Sequence, residues 1–230
     1  MTEEAASGRR LPPVAWIAAP DTVRLFSAFE SAGASARFVG GCVRDALLGR
    51  EASDLDMATD AEPDRVIEIL EAAGIRAVPT GLEHGTVTAL PDHRPFQVTT
   101  LRRDVETDGR RAVVAFTRDW AEDAARRDFT INAFSADRDG NVFDYVGGLP
   151  DLDAGRVRFI GDGGERIRED YLRILRFFRF QATYGNTQPD PEAVAACRAG
   201  AAGIAGLSGE RLWQEFARIL EVPDPSPIVS

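Results

Sequence analysis

The chain has 230 residues, 44% of them hydrophobic, with 37 acidic against 27 basic side chains and a net charge of −10. That is enough apolar material for one or two packed domains, and no run approaches the roughly 18 apolar residues of a membrane span. Two cysteines and two histidines make neither a disulfide framework nor a zinc set. Every basic residue is arginine, which excludes a Schiff-base lysine and the lysine of a Walker P-loop. With a net negative charge, any nucleic-acid contact is confined to a local basic face. The apolar run Val14–Ala19 after Arg9-Arg10 is too short for a secretory signal, so the expected compartment is the cytoplasm.

In chain order, residues 1–20 read as a loosely ordered lead-in, rich in Ala, Pro and Glu. A helix over 22–32 follows Asp21, with Val23, Phe26 and Phe29 inward, and stops at Gly33. A short strand, Ala36–Val39, leads through Gly40-Gly41 into a helix over Cys42–Leu48. The alternation of Asp54-Leu55-Asp56-Met57-Ala58-Thr59 predicts a strand. Pro63 opens an amphipathic helix that ends at Gly74. Strand-like runs follow at Ala77–Pro79, Thr86–Leu90, Pro95–Leu101 and Ala112–Phe116, then a helix over 121–136 and a strand pair near Phe134–Asp137 and Val142–Tyr145. After Gly147-Gly148 the pattern turns helical, with one long helix from Glu165 to Tyr184 and two shorter ones ending near Leu220. The division expected is a lead-in (1–20), a mixed head (21–155), a helical neck (156–222) and a linker or truncation point (223–230).

On a strand, Asp54 and Asp56 point to one face, about 7 Å apart along the chain. Two like charges so placed repel unless a cation sits between them, and a hard divalent ion such as magnesium suits oxygen donors of this kind. Alone, Asp-x-Asp is equally the mark of a solvated edge strand. Upstream, Gly40-Gly41 lets backbone approach a ligand closely, and the helix that follows offers N–H groups to a phosphate. Arg44 in its first turn opposes the helix dipole unless it serves an anion. Together these make a coherent site for a polyphosphate and its metal.

The string Val39-Gly-Gly-Cys-Val-Arg-Asp-Ala-Leu-Leu-Gly with Asp54-Leu-Asp56 resembles the class II tRNA nucleotidyltransferase and poly(A) polymerase family. Arg126-Arg-Asp-Phe-Thr-Ile-Asn-Ala133 resembles its second signature, and Glu169-Asp-Tyr-Leu-Arg-Ile-Leu-Arg-Phe-Phe-Arg-Phe180 its helical, base-reading one. The likeness runs over roughly residues 36–220. It implies an α+β fold, a polymerase-beta-like nucleotidyltransferase head with a mixed sheet and flanking helices, followed by an all-helical neck. It also implies Mg²⁺-dependent transfer from CTP and ATP to the 3′ end of tRNA. Asp54 and Asp56 would hold metal, and Gly41, Arg44, Arg127, Asp170, Arg173, Arg176 and Arg179 would bind the nucleotide. Asp170, Arg173 and Arg176 form one stripe with Arg179 at its edge, which could equally be a charged face beside a core of Leu172, Leu175 and Phe178. An aspartate accepts from the amino group of cytosine or adenine and an arginine donates to ring acceptors. By resemblance Asp128 and Asn132 stiffen the site, though they also suit a helix cap, while Phe129 and Ile131 read as core.

Gln97 stands where relatives often carry glutamate, and a neutral amide brings no carboxylate charge, so no third catalytic acid is read there. The segment Ile75–Gly81 lacks the arginine-rich insertion of the poly(A) polymerases, which favours tRNA end repair. Asp108, Arg111 and Ala112 fit the family's flexible loop, so addition of the terminal adenosine is expected as well. Relatives continue into further helical domains, so the chain is read as truncated. Poly(A) synthesis, or a catalytically silent nucleotide-binding module, is the alternative.

Overall fold

A computed structural model describes residues 6–52, 54–92, 94–107, 112–186 and 188–222. The chain forms two compact units, one of residues 1–104, 114–126 and 132–146, the other of residues 105–113, 127–131 and 147–230. No helix among the described residues is long and apolar enough to cross a membrane.

The first unit begins with β1 (Ala6–Arg10), α1 (Pro20–Ser31), β2 (Ala36–Val39), α2 (Gly41–Leu47) and β3 (Asp56–Thr59). It continues through α3 (Pro63–Ala72), β4 (Arg76–Gly81), β5 (Thr86–Leu90) and β6 (Phe96–Thr100). A separate two-stranded ribbon of β7 (Arg102–Thr107) and β8 (Ala112–Phe116), whose residues 105–113 are counted with the second unit, comes before α4 (Trp120–Ala125), β9 (Ser135–Ala136) and β10 (Asn141–Phe143) of the first. Eight strands pair in the order β1-β10-β9-β2-β3-β6-β5-β4, with β3 and β6 parallel and their other neighbours antiparallel, so the sheet is mixed as expected.

Strand periodicity sorts this sheet into two faces. Phe38 of β2 stands in register with Met57 of β3, Met57 with Val98 of β6, and Val98 with Val87 of β5. All four are wholly buried. Phe38 packs on Phe26 of α1 at 5.1 Å and edge-on to Trp16 at 4.5 Å, and burying each such side chain contributes about 1.5–3 kcal/mol. One residue along, the row reverses face: Asp56, Gln97 and Thr88 are in register and at least partly exposed. Arg37 shares the parity of this second row. It is buried, with its guanidinium 3.6 Å from the centre of the Phe143 ring and 4.3 Å from that of Trp120, and it donates to the Tyr145 hydroxyl at 3.0 Å.

Several elements depart from the sequence reading. The lead-in contains β1, which pairs with β10, and on α1 it is Leu25 that is buried while Val23 is exposed. β3 starts at Asp56, so Asp54 precedes the strand instead of lying within it. The helix expected over 121–136 stops at Ala125, and Thr130–Asn132 forms a 3-10 turn.

The second unit holds α5 (Gly148–Ala154), α6 (Gly163–Glu169), α7 (Leu172–Tyr184), α8 (Pro191–Gly200) and α9 (Gly209–Leu220). Residues 127–131 are built into it. Phe129 lies 4.9 Å from Phe159 and 5.2 Å from Phe180, and backbone bonds run from Thr130 N–H to Arg158 O and from Ile160 N–H to Asp128 O. Wholly buried Asp151 accepts from the Thr130 hydroxyl at 2.7 Å and from Arg156 Nε at 2.7 Å and Arg158 Nε at 3.0 Å. The helix expected from Glu165 to Tyr184 is broken at Asp170, which is extended at φ −156°, ψ 106°. The apolar side of α7 is Ile174, Phe177 and Phe180; the expected core residues Leu172, Leu175 and Phe178 are only half-buried.

Candidate active site

In the first unit the local sequence makes a tight corner. Gly40 has φ 72° and ψ −124°, a conformation that only glycine adopts readily, and its N–H donates to Phe134 O at 2.9 Å. Gly41 then opens α2. Buried Cys42 directs its Sγ toward Val39 O at 3.4 Å and Asp56 O at 3.8 Å, tying the first turn of α2 to the start of β3. Burial, with the Asp56 charge adding to it, pushes the Cys42 thiol up to about 12, so it stays protonated at neutral pH. Asp54, just before β3, and Asp56, its first residue, are exposed, and Leu55 between them is buried. Both residues are thus exposed ahead of a strand whose next three residues, Met57, Ala58 and Thr59, are buried.

Arg44 is buried, not presented to solvent. It donates from Nε and Nη2 to the two carboxylate oxygens of Asp45 at 2.9 and 3.0 Å, and from Nη1 to Asn132 Oδ1. Nη2 comes within 3.5 Å of where a Cβ on Gly41 would stand. Arg44 thus braces the turn from beneath, and Asp45 is the anion that meets its charge. Among the described residues no three His, Cys, Asp or Glu side chains gather as a metal cluster, and Asp54 and Asp56, two residues apart and both exposed, are the carboxylates the sequence offers here. Hard oxygen donors in that number fit a small divalent ion completed by substrate phosphates.

In the second unit Arg127 is half-buried and Asp128 is buried. Asp128 accepts the Phe129 N–H at Oδ1 (2.8 Å) and Arg176 Nε and Nη2 at Oδ2 (2.7 and 2.5 Å). Burial works against the Arg176 charge, but the carboxylates of Asp128, Glu215 and Asp170 hold its pKa above the ordinary arginine value. Asp170 Oδ1 accepts the Leu172 N–H at 3.1 Å and Asp170 O accepts the Arg173 N–H at 3.0 Å, which starts α7 afresh after the break. Arg173 donates to Glu169 and, at 2.9 Å, to Arg166 O.

The sequence reading missed the partners of this stripe. Arg211 on α9 donates to Asp170 Oδ2 at 2.7 Å, and Glu215, one turn on, accepts from Arg179 Nε at 2.5 Å. The Arg211/Glu215 spacing of four residues on an amphipathic helix was the available signal. Asp108 and Arg111 lie outside the described residues, and Ala112 begins β8.

The known proteins that this chain resembles include CCA-adding enzymes. The chain is 46% identical over 204 residues to the mitochondrial CCA tRNA nucleotidyltransferase 1 of Danio rerio, covering 86% of this chain and 47% of that protein. It is 43% identical over 196 residues to the CCA-adding enzyme of Streptococcus gordonii, covering 84% and 48%. The crystal structure of the Bacillus stearothermophilus CCA-adding enzyme in complex with CTP superposes with a TM-score of 0.78 at 34% identity, over 89% of this chain and 50% of that one. The chain thus spans about half the length of the relatives it matches. Residues 36–158, just over half of the 230, match the poly A polymerase head domain, and the chain belongs to that family.

Proposed function

We propose that the chain carries the nucleotidyl-transfer machinery of a CCA-adding enzyme, with residues 21–155 as its head and 156–222 as its base-reading neck. The tRNA 3′-hydroxyl attacks the α-phosphate of CTP or ATP, the new phosphodiester forms and pyrophosphate leaves. The observation that carries this reading is the pair of exposed carboxylates, Asp54 and Asp56, tied through Cys42 to the Gly40-Gly41 corner. Magnesium held by Asp54 and Asp56 would neutralise charge on the attacking and leaving oxygens. Gly41 offers backbone to the triphosphate while Arg44 keeps that turn in place, and Arg127 adds a cation to the nucleotide. Asp170 accepts from the exocyclic amino group of cytosine or adenine and Arg173 donates to a ring acceptor, with Arg176 and Arg179 completing the stripe. A carboxylate has about four lone-pair sites, so Asp170 retains capacity for a base beside its bonds to Leu172 N–H and Arg211. Asp108, Arg111 and Ala112 belong to the loop that permits the final adenosine, and the setting is cytoplasmic.

The test is incubation with tRNA lacking its 3′ CCA and labelled CTP and ATP, with and without Mg²⁺, at low salt. Metal-dependent addition of cytidines and then adenosine is expected, and Asp56→Asn should abolish it. Incorporation that survives Asp56→Asn, or none at saturating nucleotide, overturns the reading.

A further inference from the structure

The polar row of the first unit's sheet contains a residue to which the activity above assigns nothing. β3 and β6 run parallel with Asp56 opposite Gln97, both exposed, and Met57 opposite Val98, both buried. Residues paired this way stand about 5 Å apart on one face. On the β6 side of Asp56 the paired position is therefore taken by an amide, and the next strand adds Thr88, opposite Gln97. Across β3, β6 and β5 this register row, Asp56, Gln97 and Thr88, carries one formal charge, from Asp56, with Asp54 just before the strand. Among the described residues no third acidic, histidine or cysteine ligand gathers near the pair.

Metal affinity at oxygen sites rises with the number of charged ligands, and magnesium in a site with one or two carboxylates is completed by substrate phosphates. We propose that Gln97 sets the metal affinity of this site. An uncharged amide in register with Asp56 leaves the divalent ion dependent on the triphosphate, so that metal and nucleotide bind as one unit and the nucleotide-free protein holds metal weakly. This inference rests on the reading that Asp54 and Asp56 are the metal ligands. Its content is the coupling, and the residue responsible for it.

The experiment titrates the full chain with Mn²⁺ alone, following the free-ion signal by electron paramagnetic resonance, and repeats the titration with a non-hydrolysable CTP analogue. Wild type should bind Mn²⁺ at least about tenfold more tightly with the analogue than without it. Gln97→Glu should gain about tenfold or more in nucleotide-free binding and lose most of the coupling. Thr88→Glu adds the same charge one strand further from Asp56 and should gain less than about threefold. Gln97→Asp repeats the test with a shorter side chain should the glutamate variant fail to fold. Equal nucleotide-free affinity in wild type and both Gln97 variants, or an analogue that leaves wild-type binding unchanged, refutes the inference. So does a Thr88→Glu gain matching that of Gln97→Glu, since charge rather than register would then be responsible. Asp56→Asn separates the two levels. If it abolishes Mn²⁺ binding while the Gln97 variants behave as wild type, only the role of Gln97 falls. If it leaves Mn²⁺ binding intact, the ligand assignment itself falls.

Discussion

Replacing Asp128 with alanine should show how much of the second unit rests on one carboxylate. Asp128 is buried, accepts the N–H of wholly buried Phe129, and receives two charged hydrogen bonds from Arg176. Asp128→Ala leaves that N–H without its acceptor and leaves the Arg176 guanidinium, whose side chain is 28% exposed, with only the more distant charges of Glu215 and Asp170 to offset burial. Breaking a buried ion pair from one side costs about 3–5 kcal/mol, and partial access of water to Arg176 places the expected loss near the lower end, about 3 kcal/mol. Asp128→Asn keeps an acceptor for Phe129 and loses only the charge, so about 1.5–2 kcal/mol is expected. Urea unfolding followed by circular dichroism gives the total. Native-state hydrogen exchange on α7 amides reports the second unit alone, where 3 kcal/mol is roughly a hundredfold loss of protection. Adding Arg176→Met to Asp128→Ala removes the stranded charge and should recover stability relative to the single variant. A single-variant loss below about 1 kcal/mol, or a double variant less stable than the single one, refutes the argument.

Asp170→Ala or Arg173→Ala should lower the ratio of kcat/KM for CTP over UTP and for ATP over GTP by about ten- to a hundredfold; unchanged ratios with a uniformly slower rate would locate base reading elsewhere. Arg37→Lys, which cannot stack its point charge between Trp120 and Phe143 as a planar guanidinium does, should lower the urea midpoint measurably, by about 1–2 kcal/mol in stability. Burial holds the Cys42 and Cys197 thiols near 12 against an ordinary 9.0, so at pH 8 iodoacetamide should label them only as fast as the protein unfolds. The same shift makes stability complete below the ordinary thiol pKa and progressively lost above it, as the unfolded chain gives up protons that the folded one keeps up to about pH 12; a denaturation midpoint that rises from pH 8 to 10 would contradict it.

Local rules made much of the first unit readable. Ala36–Val39, Thr86–Leu90 and Ala112–Phe116 occur with the bounds that alternation and turn residues indicate, and Pro63 opens its helix as expected. What escaped depends on distant partners or on side chains that rewrite backbone bonds. β1 carries no apolar alternation and forms because β10, over 130 residues on, offers an edge. No Gly or Pro marks the break at Asp170, where a side chain and a carbonyl capture the next N–H groups and end one helix to begin another. The acidic pair and the glycine corner were legible because their spacing is local. The burial of Arg44 on Asp45 and Asn132, and the bracing of Asp170 and Arg179 by α9, join residues that only the folded chain brings together.

The loan of residues 127–131 to the second unit has a consequence for synthesis. Phe129 leaves the ribosome in the midst of first-unit sequence, yet its ring partners Phe159, Phe177 and Phe180 are translated only afterwards. At roughly 5–20 residues per second, the nascent sheet can pair its final strand some seconds before that phenylalanine has anywhere to go. During that interval the Phe129-Thr130-Ile131 stretch is an apolar loop hanging from an otherwise folding domain, the kind of segment a holdase chaperone grips. Slowing elongation between Phe129 and Phe180 would lengthen this exposure, whereas slowing it before Phe129 would not, so codon choice across 130–180 bears on the yield of folded protein.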